Sequence, residues 1–135
     1  MIEVLVIGTD PPCLRCNMLV QRVYEVADEN RILVNVRKVP FQSTEAQDLA
    51  EEFQRTMGSV KDVARRGTIE VDWSRVAGLM KQPWSPALDE ELRPCQELAD
   101  KVRILMTPIL VINGRLKHHG SVPDADRILA WLKEV

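Results

Sequence analysis

The chain opens with a strand, a turn, a helix and a second strand inside its first 40 residues, and that order constrains everything after it. Ile2-Glu3-Val4-Leu5-Val6-Ile7 is apolar and β-branched and ends at Gly8-Thr9-Asp10-Pro11-Pro12, so it predicts a short buried strand closed by turn residues. From Cys13 the period changes. Met18, Leu19, Arg22-Val23 and Val26-Ala27 fall at helical spacing, which predicts a helix from Cys13 to about Glu29. Ile32-Leu33-Val34-Asn35-Val36 predicts a second strand, stopped near Pro40. A βαβ unit places its two strands side by side and parallel, which points to an α/β fold.

The C-terminal end is read in the same way. Thr107-Pro108 leads into the strand run Ile109-Leu110-Val111-Ile112, then Asn113-Gly114, then Arg115-Leu116-Lys117-His118. Asn-Gly between two strand-like runs is a strong hairpin signal, because both residues tolerate the positive φ of a type I′ turn. After Gly120, Ser121 and Pro123 predict a helix entry, with Ile128, Trp131 and Leu132 on the apolar face.

Residues 41–107 far exceed the dozen or so that a crossover between neighbouring strands requires. A second helix opens at Ser43-Thr44-Glu45, with Ala46, Leu49, Ala50, Phe53 and Met57 on one face. Val60 to Arg66 extends it past Gly58, with Gly67 as a stop. Ile69, Val71 and Trp73 alternate as a short extended piece would. Val76, Leu79 and Met80 predict another helical turn or two, ended by Pro83; Ser85-Pro86 opens a further helix, which Pro94 kinks or restarts. The reading is a single domain over residues 1–135 with a mostly helical insertion at about 58–103.

Composition excludes several classes. The 135 residues are 45% hydrophobic and 28% charged, ordinary values for one folded domain and unlike those of a disordered chain. A net charge of −2 leaves no basic footprint for nucleic acid. No apolar stretch approaches the roughly 20 residues of a membrane span, and the opening residues show no secretory signal pattern. Three cysteines do not make a secreted disulfide scaffold. A cytoplasmic location is expected.

Cys13-Leu14-Arg15-Cys16 lies where the first strand hands over to the first helix. Cysteines at i and i+3 in a first helical turn face the same side, at a separation a disulfide accepts. The unpaired N–H groups and partial positive charge of a helix N-terminus stabilise a thiolate at the leading cysteine, and a thiol ionised near neutral pH is what disulfide exchange needs. Arg15 either adds to this or points into solvent. Two other readings stand beside redox exchange. The pair is two small core residues, or it holds a soft metal such as zinc or copper, for which only Cys95, His118 and His119 remain as further ligands. Cys95 reads as a buried incidental thiol, and His118-His119 as an exposed strand end. Trp131 reads as core. Trp84 belongs to a satellite cluster or to a lid over a binding surface, and Asp89-Glu90-Glu91 to a solvated helix face.

The order βαβ, helix, Thr-Pro, β-hairpin, helix resembles the thioredoxin fold, most closely the small thioredoxin-like redox-active disulfide proteins of bacteria and archaea. Cys13 and Cys16, Thr107-Pro108, and Ile109 to Arg115 with Gly120 carry the likeness, over roughly residues 1–57 and 104–135. The resemblance implies a mixed four-stranded sheet and a cis bond between Thr107 and Pro108. It implies that Pro108 shapes a substrate groove and that Thr107 presents its backbone to a substrate strand. The implied activity is a thiol–disulfide oxidoreductase with Cys13 as nucleophile and Cys16 as resolving thiol. It would act on protein disulfides and be recycled by a separate reductase, with no bound cofactor or metal and no nucleic-acid or membrane partner. A soft-metal module and a non-catalytic interaction protein on the same scaffold are the alternatives. The chain departs from thioredoxin itself in carrying Asp10-Pro11-Pro12 where a tryptophan usually precedes the motif, and Leu14-Arg15 in place of Gly-Pro.

Overall fold

A computed structural model describes residues 1–11 and 13–135; the turn role assigned to Pro12 lies outside the described residues. The order of elements is β1 (Ile2–Gly8), α1 (Leu14–Glu29), β2 (Val34–Pro40), α2 (Thr44–Glu52), β3 (Thr56–Gly58), α3 (Val60–Gly67), α4 (Trp73–Met80), α5 (Pro86–Glu91), α6 (Arg93–Val102), β4 (Ile104–Met106), β5 (Ile109–Ile112), β6 (Arg115–His119) and α7 (Ala125–Lys133). The main sheet has four strands in the order β2-β1-β5-β6. β2 runs parallel to β1, with Ile2 opposite Val34 and Gly8 opposite Pro40, and β5 runs antiparallel to β1, with Val4 opposite Ile112. The mixed four-stranded sheet of the sequence reading is what forms.

Alternation on the two central strands sorts the core. Val4 and Val6 of β1, with Leu110 and Ile112 of β5, face Leu19, Val23 and Val26 of α1 and Ile128 and Leu132 of α7. Leu5, Ile7, Ile109 and Val111 face the other way, onto Ala46 of α2 and Leu105 of β4. Successive strand residues point to opposite faces. A strand covered on both faces must therefore be apolar throughout, as the buried run from Val4 to Ile7 is. The hairpin turns at Asn113 and Gly114, whose φ values of 48° and 78° match the expected turn. Asn113 also accepts a hydrogen bond from the Glu3 N–H through its side chain.

The middle of the chain departs from its reading in three places. α2 ends at Glu52, and Gln54 takes a left-handed φ of 57°, so Met57 leaves the helix face and enters β3. α3 is a separate helix, started by a capping box in which Ser59 and Asp62 each bond the other's backbone N–H. It stops at Gly67, as expected. Residues 69–72 form no strand, because Asp72 caps α4 and Trp73 is already helical. β2 also begins at Val34, two residues later than read; Arg31 is left-handed, and the Ile32 N–H still bonds back to Ala27. One feature was not foreseen. β3 pairs in parallel with β4, Thr56 opposite Ile104 and Gly58 opposite Met106, as a second, two-stranded sheet. α3 and α6 pack on it through Val63, Cys95, Ala99 and Met106.

Candidate active site at the start of the first helix

The site is set by where β1 ends. Gly8 is the last residue of the strand, and a Cβ built there would lie 2.7 Å from the Cys16 sulfur. Only glycine leaves the room that the buried Cys16 thiol occupies. Three residues before Cys16, Cys13 is the N-cap of α1, extended at φ −88° and ψ 166°, and its sulfur accepts from the Cys16 backbone N–H at 3.3 Å. A thiol standing where a serine or aspartate usually caps is well placed to be ionised, because the cap position receives the helix's unpaired N–H groups. The two sulfurs lie 2.8 Å apart, and both thiols are free. The structure therefore brings the sequence-predicted pair together on one face of the first turn.

The shared proton splits the two thiols. Cys16 donating to Cys13, assisted by backbone N–H groups and by the Arg15 charge, lowers the Cys13 pKa to about 6 against the opposing effect of burial. The same hydrogen bond, with burial and the neighbouring Cys13 charge, pushes Cys16 upward. The arrangement holds one thiolate and one thiol near neutral pH.

Leu14 and Arg15, the residues between the cysteines, both turn toward the middle of the chain. Leu14 packs on Val76 of α4, Leu88 of α5 and Leu92 between α5 and α6. Arg15 is 4% exposed, which settles its direction: it points inward. Its guanidinium donates to Asp89 Oδ1 at 2.9 Å, to the Gly120 carbonyl at 2.6 Å and to the Thr107 carbonyl at 3.0 Å. A buried cation is tolerable only when paired and hydrogen-bonded in this way. Asp89 in turn accepts from the Val122 N–H at 3.2 Å. The expectation of a solvated acidic run therefore fails at Asp89, which serves as counter-ion to Arg15. No local pattern announces that pairing, since the partners are 74 positions apart.

The bond between Thr107 and Pro108 is cis, as the resemblance implies. Both residues are buried, and both backbone polar groups of Thr107 are engaged within the fold. Its N–H donates to the Gly58 carbonyl at 3.0 Å and its carbonyl accepts from Arg15. Thr107 lines a cleft of about 390 Å³ beside Cys13, walled by Val60, Val76, Met80 and Leu88 from the middle of the chain.

The other candidates lie elsewhere. Cys95 is fully buried between α3, α6 and β4, and burial raises its pKa. His118 and His119 are half-buried, not exposed as read. His119 accepts from the Met106 N–H through Nδ1 and pairs with Asp100 through Nε2. His118 lies against Trp131 and bonds Ser121, and burial first, then the Arg127 and His119 charges, lower its pKa to about 4. Among the described residues no group of three or more His, Cys, Asp or Glu is placed to hold a metal ion, and no helix is long and apolar enough to cross a membrane. Trp84 joins the satellite cluster with Val76, Leu88 and Leu92, with the Arg22 guanidinium 4.9 Å above its ring.

Residues 74–133 match a family model described as a thioredoxin domain. The match takes in residues 74–103, outside the motifs on which the resemblance rests, and stops short of Cys13 and Cys16. No curated protein and no solved structure matches the chain. A thioredoxin domain carries a redox-type function at the level of the family, and a close cysteine pair stands where that function needs one. The matched segment, the strand order and the close cysteine pair together support a thioredoxin-like protein.

Proposed function

We propose that the protein is a thiol–disulfide oxidoreductase acting on protein disulfides through Cys13 and Cys16. The observation that supports this most is the split pair: a Cys13 thiol held down to about 6 at a helix N-terminus, touching a Cys16 thiol that is held up. The Cys13 thiolate attacks one sulfur of the substrate disulfide, forming a mixed disulfide and releasing the other sulfur as a thiolate, which takes a proton from solvent. Cys13 then carries no charge, so the two effects of Cys13 that held the Cys16 proton are gone. Cys16 loses that proton and attacks the Cys13 sulfur. The Cys13–substrate bond breaks, the substrate leaves as a second thiol, and the Cys13–Cys16 disulfide holds the two-electron oxidation. A separate dithiol reductase returns the pair to its starting state. Thr107 lines the cleft beside Cys13, and Arg15 spans from the motif to the Thr107 carbonyl.

The deciding experiment equilibrates the protein in dithiothreitol or glutathione buffers of graded potential and traps thiols by alkylation for mass analysis. A reversible two-electron couple confined to Cys13 and Cys16 is expected. A pair that never oxidises, or a disulfide that uses Cys95, overturns the proposal.

A further inference from the structure

We propose that the cleft beside Cys13 takes an apolar side chain adjacent to the cysteine of a polypeptide disulfide, so that the middle of the chain selects the substrate. This rests on the exchange reading above. Cys13 forms part of the cleft wall, so a substrate sulfur in line with Cys13 carries its nearest neighbours into the cleft. Val60, Val76, Met80 and Leu88 make an apolar wall, with Asp10 and Lys61 as the exposed charges of the lining, and the volume of about 390 Å³ holds one or two large side chains.

Of the polar groups that line the cleft, Thr9, Arg15, Ser59 and Thr107 are engaged within the fold, and the charged Asp10 and Lys61 stand exposed to solvent. Arg15 donates to Asp89, Gly120 and Thr107, and the Thr107 N–H is held by the Gly58 carbonyl. A polar side chain seated deep here would lose water and gain no partner, which penalises it. A peptide strand finds the Thr107 N–H occupied by β3, so its grip must come from side-chain burial.

The rim argues for a polypeptide over a small disulfide. Trp73 and Met80 line the cleft and are 36% and 40% exposed, two of the few large apolar side chains the fold leaves in water. A small disulfide lodged inside would leave them wet, whereas a chain passing over the mouth covers both. Exposed apolar groups gathered at a concave mouth mark a contact surface.

The test is single-turnover oxidation of the reduced protein by short peptides Gly-Gly-Xaa-Cys-Gly-Gly, each in mixed disulfide with 2-mercaptoethanol, where Xaa is Ala, Ser, Leu or Phe. Bis(2-hydroxyethyl) disulfide is run beside them. The Leu and Phe peptides are expected to react about ten-fold faster than Ala, and Ser no faster than Ala. In Ala77→Trp, which fills the cleft from an exposed position, and in Met80→Lys, the Leu-to-Ala ratio within each variant is expected to fall below two-fold while thermal unfolding shows each still folded. The ratio is internal to a variant, so it does not depend on the absolute rate. Equal rates for Ala and Leu peptides in the parent protein overturn the cleft assignment, as does an unchanged ratio in both variants. Bis(2-hydroxyethyl) disulfide reacting faster than every peptide makes a small disulfide the occupant and overturns it too. A protein that no disulfide oxidises refutes the exchange reading instead.

Discussion

Replacing Arg15 with methionine tests the tie between the cysteine motif and the rest of the fold. Methionine keeps the length and apolar stem of the side chain and removes the charge and all donors. The guanidinium is nearly enclosed, with 5% of its side chain exposed against 18% for Asp89. Its loss leaves the Asp89 carboxylate with only the Val122 N–H, and strips a partner from the buried Thr107 carbonyl and from Gly120. Breaking a buried pair by removing one partner costs about 3–5 kcal/mol. Each orphaned carbonyl adds about 1–3 kcal/mol at most, and these contributions overlap because they belong to one network. We expect Arg15→Met to lose about 3–5 kcal/mol, or roughly 10–20 °C in Tm for a chain of this size. Asp89→Asn keeps an acceptor for Arg15 and should lose about 1–2 kcal/mol. Arg15→Met with Asp89→Leu should recover part of the loss, because apolar replacement of a buried pair is often neutral. Urea unfolding of the reduced protein, followed by far-ultraviolet circular dichroism and tryptophan fluorescence, reads all three. A loss below about 1 kcal/mol for Arg15→Met, or strict additivity in the double variant, refutes the network. The pH midpoint of Cys13 alkylation gives a second reading: it should rise in Arg15→Met yet remain below that of a free thiol, because the Cys16 hydrogen bond is the larger cause.

Three further outcomes follow from the same geometry. Cys16→Ala removes the main cause of the low Cys13 pKa, so the alkylation midpoint should move from about 6 toward the ordinary thiol value of 9.0, with iodoacetamide rates from pH 5 to 10 as the assay; an unmoved midpoint refutes the shared proton. The depressed Cys13 also sets a stability slope. Between about pH 6 and 9 the unfolded thiol holds a proton that the native one has lost, so the reduced protein should grow more stable as pH rises through that window, and less stable as pH falls through 6. Urea midpoints that are flat or falling from pH 6 to 8.5 would contradict the assignment. Gly8→Ala places a methyl 2.7 Å from the Cys16 sulfur and 3.2 Å from its Cβ. It should cost about 1–3 kcal/mol by overpacking and shift the potential of the pair; a neutral substitution there refutes the close approach.

Much of this was legible because it is local. The strand from Val4 to Ile7, the period change at Cys13 and the Asn113-Gly114 turn are written in neighbouring residues, and each forms as read. The four-stranded sheet follows from them because βαβ and hairpin connections leave few alternatives. What escaped is non-local or very short. β3 and β4 have three residues each and find one another across the whole middle of the chain, so no run of alternation signals either. Met57 satisfies a helix face in sequence and leaves it in space, because the left-handed Gln54 turns the chain first. Ser59 with Asp62 was a readable start signal for α3 that the apolar period overrode. Around the cysteines, the motif announced its reactive pair, but nothing near Asp89 shows that its charge faces Arg15.

The pairing of β3 with β4 also limits how this fold can be altered. The chain leaves the frame at Gly58 and returns at Ile104 on the neighbouring strand, so the helices between them form an excursion that joins the end of β3 to the start of its paired strand β4. Because those strands run parallel, a tight turn cannot rejoin them; a replacement must still cross over, which takes about a dozen residues or more. Above that minimum, a crossover of other length and composition could be grafted at the same two anchors while Gly58 still caps the Thr107 N–H. The parallel join protects this segment from outright deletion, and any substitute must also give the buried Arg15 a counter-ion in place of Asp89 and cover Leu14.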